Sequence, residues 1–184
     1  MDLRIVKTHK VIREAFIELL SSQDYESITI QTILDKALVN RATFYKYYSG
    51  KSDLTGQMIN DFKAEIHKIL VARLDTDNQA LQYILEQHTQ HIFGLRKQML
   101  ALFKIRTHRH NLYQDMFDMM KQNFIVLAQK YPNFDPAKFS RLDYQATMMA
   151  NLFMASLQYY FEQDLPIPKD LPNDWQQMID IAKI

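Results

Sequence analysis

The sequence predicts an all-α protein, built as an N-terminal three-helix unit with a helix-turn-helix followed by a larger helical domain. Three observations predict it. The 184 residues include only 3 Gly and 5 Pro, and strand-like alternation is nearly absent. Apolar residues recur instead at helical spacing. With 47% hydrophobic residues the chain can bury a sizeable core and is not disordered by composition.

The first predicted helix runs from about Lys7 to Ser21, where Val11, Ile12, Ala15, Phe16, Leu19 and Leu20 form one apolar stripe. SSQDYES follows as a turn. Thr29 is placed to cap a second helix with an inner face of Ile30, Ile33, Leu34 and Ala37. After the break LVN, Asn40 is placed to cap a third, very short helix ending near Tyr48. Two short helices joined by so short a turn form a helix-turn-helix, with the first helix as its scaffold.

A fourth helix is expected from near Ser52 to Leu74, followed by helices over 78–93, 96–106 and 112–131. Asp135-Pro136 reads as an N-cap followed by proline in the first turn of a helix reaching Gln163. PIPKDLP is a rigid linker to a last helix, Asn173 to Ile184.

Composition excludes several chemistries. Zero Cys removes disulfides, thiolate metal sites and cysteine nucleophiles, and suits the cytoplasm. The start MDLRIVKTHK has no apolar signal core. The longest uncharged stretch, Tyr144 to Phe161, holds Gln145, Asn151, Ser156 and Gln158, too many polar groups for a membrane span. No nucleophile elbow, phosphate-cradling glycine loop or HExxH occurs, so no enzyme and no cofactor are expected. His88-x-x-His91 and His108-x-His110 lack a convergent third ligand, so no metal site is expected.

Net charge is +1 and therefore says little; the signal is local. In NRATFYKYYSGKSDL, residues 40–54, four aromatics fill five positions among Arg41, Lys46 and Lys51, with no acid between Asp35 and Asp53. At about 100° per residue, Phe44 and Tyr48 share one side and anchor the helix. Ala42 and Lys46 point the other way, with Thr43 and Tyr45 on the flanks. Ala42, Thr43 and Lys46 thus face outward, toward a major groove when DNA is present, and Tyr45 can offer its hydroxyl to a phosphate. Lys51 places a cation in the first turn of a helix, against the macrodipole, at about 0.3–1 kcal/mol. A phosphate shared with the helix N-terminus would account for that choice.

Taken together, Thr8-x-x-x-Ile12-x-x-Ala15-Phe16-x-x-Leu19-Leu20, Thr29-x-x-x-Ile33 and Val39-x-x-x-Thr43-Phe44-Tyr45-x-Tyr47-Tyr48-x-x-Lys51-x-x-Leu54 resemble the TetR family of transcriptional regulators over residues 8–58. The resemblance implies a DNA-binding domain, residues 1–51, and an effector-binding and dimerisation domain, residues 52–184. It adds Tyr47 and Lys51 as phosphate contacts and places Gln31 and Arg41 near base edges; Thr29 and Asn40 complete the DNA-contacting set. The implied partners are an operator in double-stranded DNA, a small-molecule effector and a second copy of the chain, with repression the commoner sign. Leu38 stands where members usually have Gly, which predicts a slightly altered turn.

Two further groups are expected to matter downstream. Phe93, Met99, Phe103, Met116, Met120, Phe124, Tyr144 and Met148 are candidates for an adaptable effector pocket, although Met and aromatics at this spacing also build plain core. The run Arg96, Lys97, Lys104, Arg106, Arg109 could hold an anion or neutralise neighbouring helices, with solvated surface the default. Ala146, Met149, Ala150, Phe153, Met154 and Leu157 give the 135–163 helix one apolar face. Met148, Leu152, Ala155 and Tyr159 give it another, expected to meet a second subunit together with Trp175, Met178 and Ile179.

Overall fold

A computed structural model describes residues 3–75, 90–130 and 141–168. The helices are α1 (Leu3–Ser22), α2 (Ile30–Ala37), α3 (Arg41–Tyr45), α4 (Lys51–Asp75), α5 (Arg96–Phe103), α6 (Leu112–Lys130) and α7 (Leu142–Glu162), with a 3₁₀ turn at Tyr25–Ser27 and a helical stretch over 90–94. No strand occurs among the described residues. None of their helices is long and apolar enough to cross a membrane. The expected Asp135 cap, the last helix with Trp175, Met178 and Ile179, and His88 lie outside the described residues.

The N-terminal unit forms as its caps dictate. The Thr29 hydroxyl accepts from the Thr32 backbone N–H while the Thr32 hydroxyl accepts from that of Thr29, a reciprocal capping box. Asn40 accepts from the Thr43 N–H at 2.7 Å. Between them Leu38 takes the left-handed conformation, φ 54° and ψ 40°. The turn thus closes through a left-handed residue although glycine is missing. Leucine adopts the glycine conformation itself, with its side chain 92% exposed. Ile12, Phe16, Leu20, Ile28, Ile33, Phe44 and Tyr48 close the core of this unit. Each such side chain contributes roughly 1.5–3 kcal/mol on burial.

Helix α4 runs out of this unit and packs on α6. Helix α5 packs on α1 on one side and on α6 and α7 on the other, so it joins the N-terminal unit to the later helices. Here the basic run is only partly solvated. The Lys104 ammonium donates to the carbonyls of Leu20 and Ser21, the free C-terminal acceptors of α1. Arg96 pairs with Asp164 and stacks on Phe93, 4.2 Å from its centroid. Arg106 lies over the Tyr113 ring, and Lys97 remains exposed. The loop before α6 meets the start of α4 through His110, whose Nε2 lies 2.8 Å from the Ser52 hydroxyl. A Cβ at Gly56 would stand 3.3 Å from the His110 ring, so glycine permits this close approach.

Candidate DNA-binding face

Helix α3 is too short to hold itself, and its orientation comes from two aromatic anchors. Phe44 and Tyr48 are 0% and 1% exposed, as their angular spacing predicts. Their rings lie 5.4 Å apart. The Tyr48 hydroxyl sits 2.6 Å from His9 Nδ1 and accepts from Arg13 Nε at 3.2 Å. Because Arg13 can only donate, the tyrosine proton goes to His9, which serves as acceptor. Arg13 also pairs with Asp61 of α4 at 2.7 Å, so α1, α3 and α4 meet at one phenol. Burial is the largest cause holding the Tyr48 hydroxyl above its ordinary value and His9 below its own. Neither His9 nor Arg13 announces this role in sequence, since neither sits in a recognisable motif.

With that side buried, the opposite side of α3 is free. Arg41, Ala42, Tyr45 and Lys46 are exposed, and Thr43 is half-buried. Tyr45 is 46% exposed, its ring edge-on to Phe44. Tyr47 is half-buried against His9, centroids 4.6 Å apart, with the Lys46 ammonium 5.7 Å from its ring. Thr29 and Gln31 on the α2 side and Asn40 at the head of α3 are exposed too. Arg41 and Gln31, expected near base edges, are in contact: Arg41 Nη2 donates to Gln31 Oε1 at 2.9 Å. Gln31 Nε2 in turn donates to Asp35 Oδ1 at 2.8 Å. The i, i+4 spacing of Gln31 and Asp35 was the available signal for that last contact.

Lys51, expected at a phosphate, is held by backbone carbonyls in this structure. Its ammonium donates to the carbonyls of Tyr25 at 2.6 Å and Ile28 at 2.7 Å, with Glu26 at 3.4 Å, and lies 4.2 Å from the Tyr25 ring. Desolvation lowers its basicity. The cation that opposes the α4 dipole is thus explained by three carbonyl acceptors of the preceding turn. Asp53 completes the junction by accepting from the Ser49 N–H at 2.7 Å, the first cause holding its carboxyl below the ordinary carboxylate pKa.

Residues 12–58 match the family described as "Bacterial regulatory proteins, tetR family". The chain carries the helix-turn-helix of the TetR family. It is 42% identical over 67 residues to the "Uncharacterized HTH-type transcriptional regulator YxbF" of Bacillus subtilis (strain 168), covering 36% of this chain. It is 27% identical over 118 residues to the "HTH-type dhaKLM operon transcriptional activator DhaS" of Lactococcus lactis subsp. lactis (strain IL1403), covering 64% of this chain. The chain spans 18% and 52% of the lengths of these two relatives. Among solved structures, a gamma-butyrolactone receptor (ArpA-like protein) is similar with a TM-score of 0.56 at 16% identity, over 95% of this chain and 94% of that one. A TetR transcriptional regulator from Streptococcus agalactiae 2603V gives 0.56 at 21% identity, over 96% and 95%. These likenesses show that the described helices share the fold of those two structures.

The expected effector-pocket residues separate into three groups. Met99, Phe103, Met116 and Met120 are buried in the core cluster, and Phe93 packs edge-on against Phe161. Tyr144 and Met148 are 60% and 51% exposed on the outside of α7. Phe124 alone of the eight lines the apolar cleft between α6 and α7, about 550 Å³, with Leu127, Ala128, Leu142, Gln145, Ala146 and Met149. Helical periodicity cannot separate these fates, because core, cavity and subunit-facing side chains share one spacing. Among the described residues no group of ligands could hold a metal.

Proposed function

We propose that the protein is a cytoplasmic, homodimeric transcriptional regulator that binds a near-palindromic operator and releases it when a small apolar effector occupies the helical domain. The observation that carries the reading is the one-sided burial of α3. Phe44 and Tyr48 are locked inside while Arg41, Ala42, Tyr45 and Lys46 stand out beside Gln31. A helix so presented enters a major groove. Two observations support the rest. Tyr144, Met148, Ala155 and Tyr159 form an exposed stripe along α7 that a matching helix would cover. The open groove between α6 and α7 is apolar, which suits an apolar effector.

Repression is the proposed sign. The likeness to DhaS, an activator by its printed name, favours activation as the second reading; control through a protein partner is the remaining alternative. A gel-shift assay against the DNA flanking its own gene, with and without cell extract, tests all of these. Retardation relieved by extract supports effector release, and absence of any retarded species overturns the DNA-binding reading.

A further inference from the structure

Asp35 is an acid on the DNA-facing side of a helix-turn-helix, where phosphates would repel it. It is exposed and forms no ion pair among the described residues; it accepts a hydrogen bond from Gln31 Nε2. Gln31 stands between two groups of fixed polarity. Arg41 can only donate and an ionised Asp35 can only accept, so the Gln31 amide has one satisfiable orientation, Oε1 toward Arg41 and Nε2 toward Asp35. The chain Asp35–Gln31–Arg41 thereby ties α2 to α3 through side chains. It engages one edge of the guanidinium and leaves the remaining donors directed away from Gln31. An arginine so held loses less freedom on docking than a free one.

We propose that Asp35 is a positioning residue for base selectivity: through Gln31 it orients Arg41 toward a guanine edge, although Asp35 itself touches no base. This rests on the DNA-binding reading above. Its ordinary competitor is an i, i+4 pair that merely supports α2. The two differ in what they move, since helix support leaves the ratio of affinities between two sequences unchanged.

The experiment uses the full chain. A preferred half-site is selected from a randomised pool, and affinities are then measured on sites differing at single base pairs, for the wild type, Arg41→Ala, Asp35→Ala and Asp35→Asn. Arginine on guanine supplies roughly tenfold discrimination or more. Asp35→Ala is expected to lose most of that ratio at the same base pair where Arg41→Ala loses it. Asp35→Asn keeps an oxygen that accepts from Gln31, so it is expected to retain the wild-type ratio although the charge is gone. Wild-type selectivity in Asp35→Ala, a loss at a different base pair, or identical behaviour of the Asn and Ala variants would overturn the inference while leaving DNA binding intact. If the wild type selects no sequence from the pool, the DNA-binding reading falls and this inference falls with it.

Discussion

The Lys51 ammonium lies 2.6 Å from the Tyr25 carbonyl oxygen and 4.2 Å from the centre of the Tyr25 ring. One residue at the head of α4 thus holds the turn that leads into α2. Lys51→Met removes the donor from the Tyr25 and Ile28 carbonyls. It should destabilise the protein by about 1–3 kcal/mol, the cost of stripping a charged donor from part-buried acceptors. Urea unfolding measures it. If Lys51 instead serves a phosphate, stability will be unchanged and the salt dependence of DNA binding will fall by about one charge per subunit.

Leu38 carries the strain of a left-handed conformation with no packing in return, being 92% exposed. A leucine there costs about 1–2 kcal/mol relative to ordinary backbone, and glycine gives part of that back to the unfolded chain. Leu38→Gly should therefore stabilise the protein by about 0.5–1 kcal/mol, visible as a higher melting temperature. A lower one would mean that the exposed leucine has a contact of its own.

Two histidines should make stability depend on pH. His9 and His110 are both held below the ordinary value of 6.5, chiefly by burial and then by a neighbouring arginine, Arg13 or Arg109. Between the folded and unfolded values the unfolded chain binds more protons, so stability rises with pH there. The contribution is complete above pH 6.5 and is lost as pH falls through the window below it. Carboxylates titrate lower still and are common to both proteins, so the comparison is with His9→Gln/His110→Gln. The double variant should show a flatter profile just below pH 6.5; equal profiles would contradict the assignment.

The exposed stripe of α7 makes a prediction about assembly. Met148 is 51% exposed, so Met148→Arg should not disturb the subunit fold. In a dimer it would bury an unpaired charge at the interface. Sedimentation should then show wild-type dimer and variant monomer at micromolar concentration. A monomeric wild type would remove the subunit pairing from the proposal.

The helix-turn-helix was legible because its determinants are local. Thr29 and Asn40 cap helices within a few residues of themselves, and the i, i+4 spacing of Phe44 and Tyr48 alone puts them on one buried side. Lys51 was not legible in the same way. Its acceptors are backbone carbonyls more than twenty residues earlier, and only the folded turn gathers them. The effector residues are hard to assign for another reason. Helix α7 is apolar on two faces: its period separates Ala150, fully buried, from Met148, half in solvent, but does not say which apolar side chains line a cavity.

The central claim is that the outer face of α3 reads sequence. The most direct measurement is the affinity of wild type and Arg41→Ala, across a salt series, for a cognate operator and a scrambled duplex. The account predicts a loss of about 1–3 kcal/mol per subunit on the cognate site and much less on the scrambled one. An equal loss on both would make Arg41 a phosphate contact and contradict the reading of this face as the specificity surface.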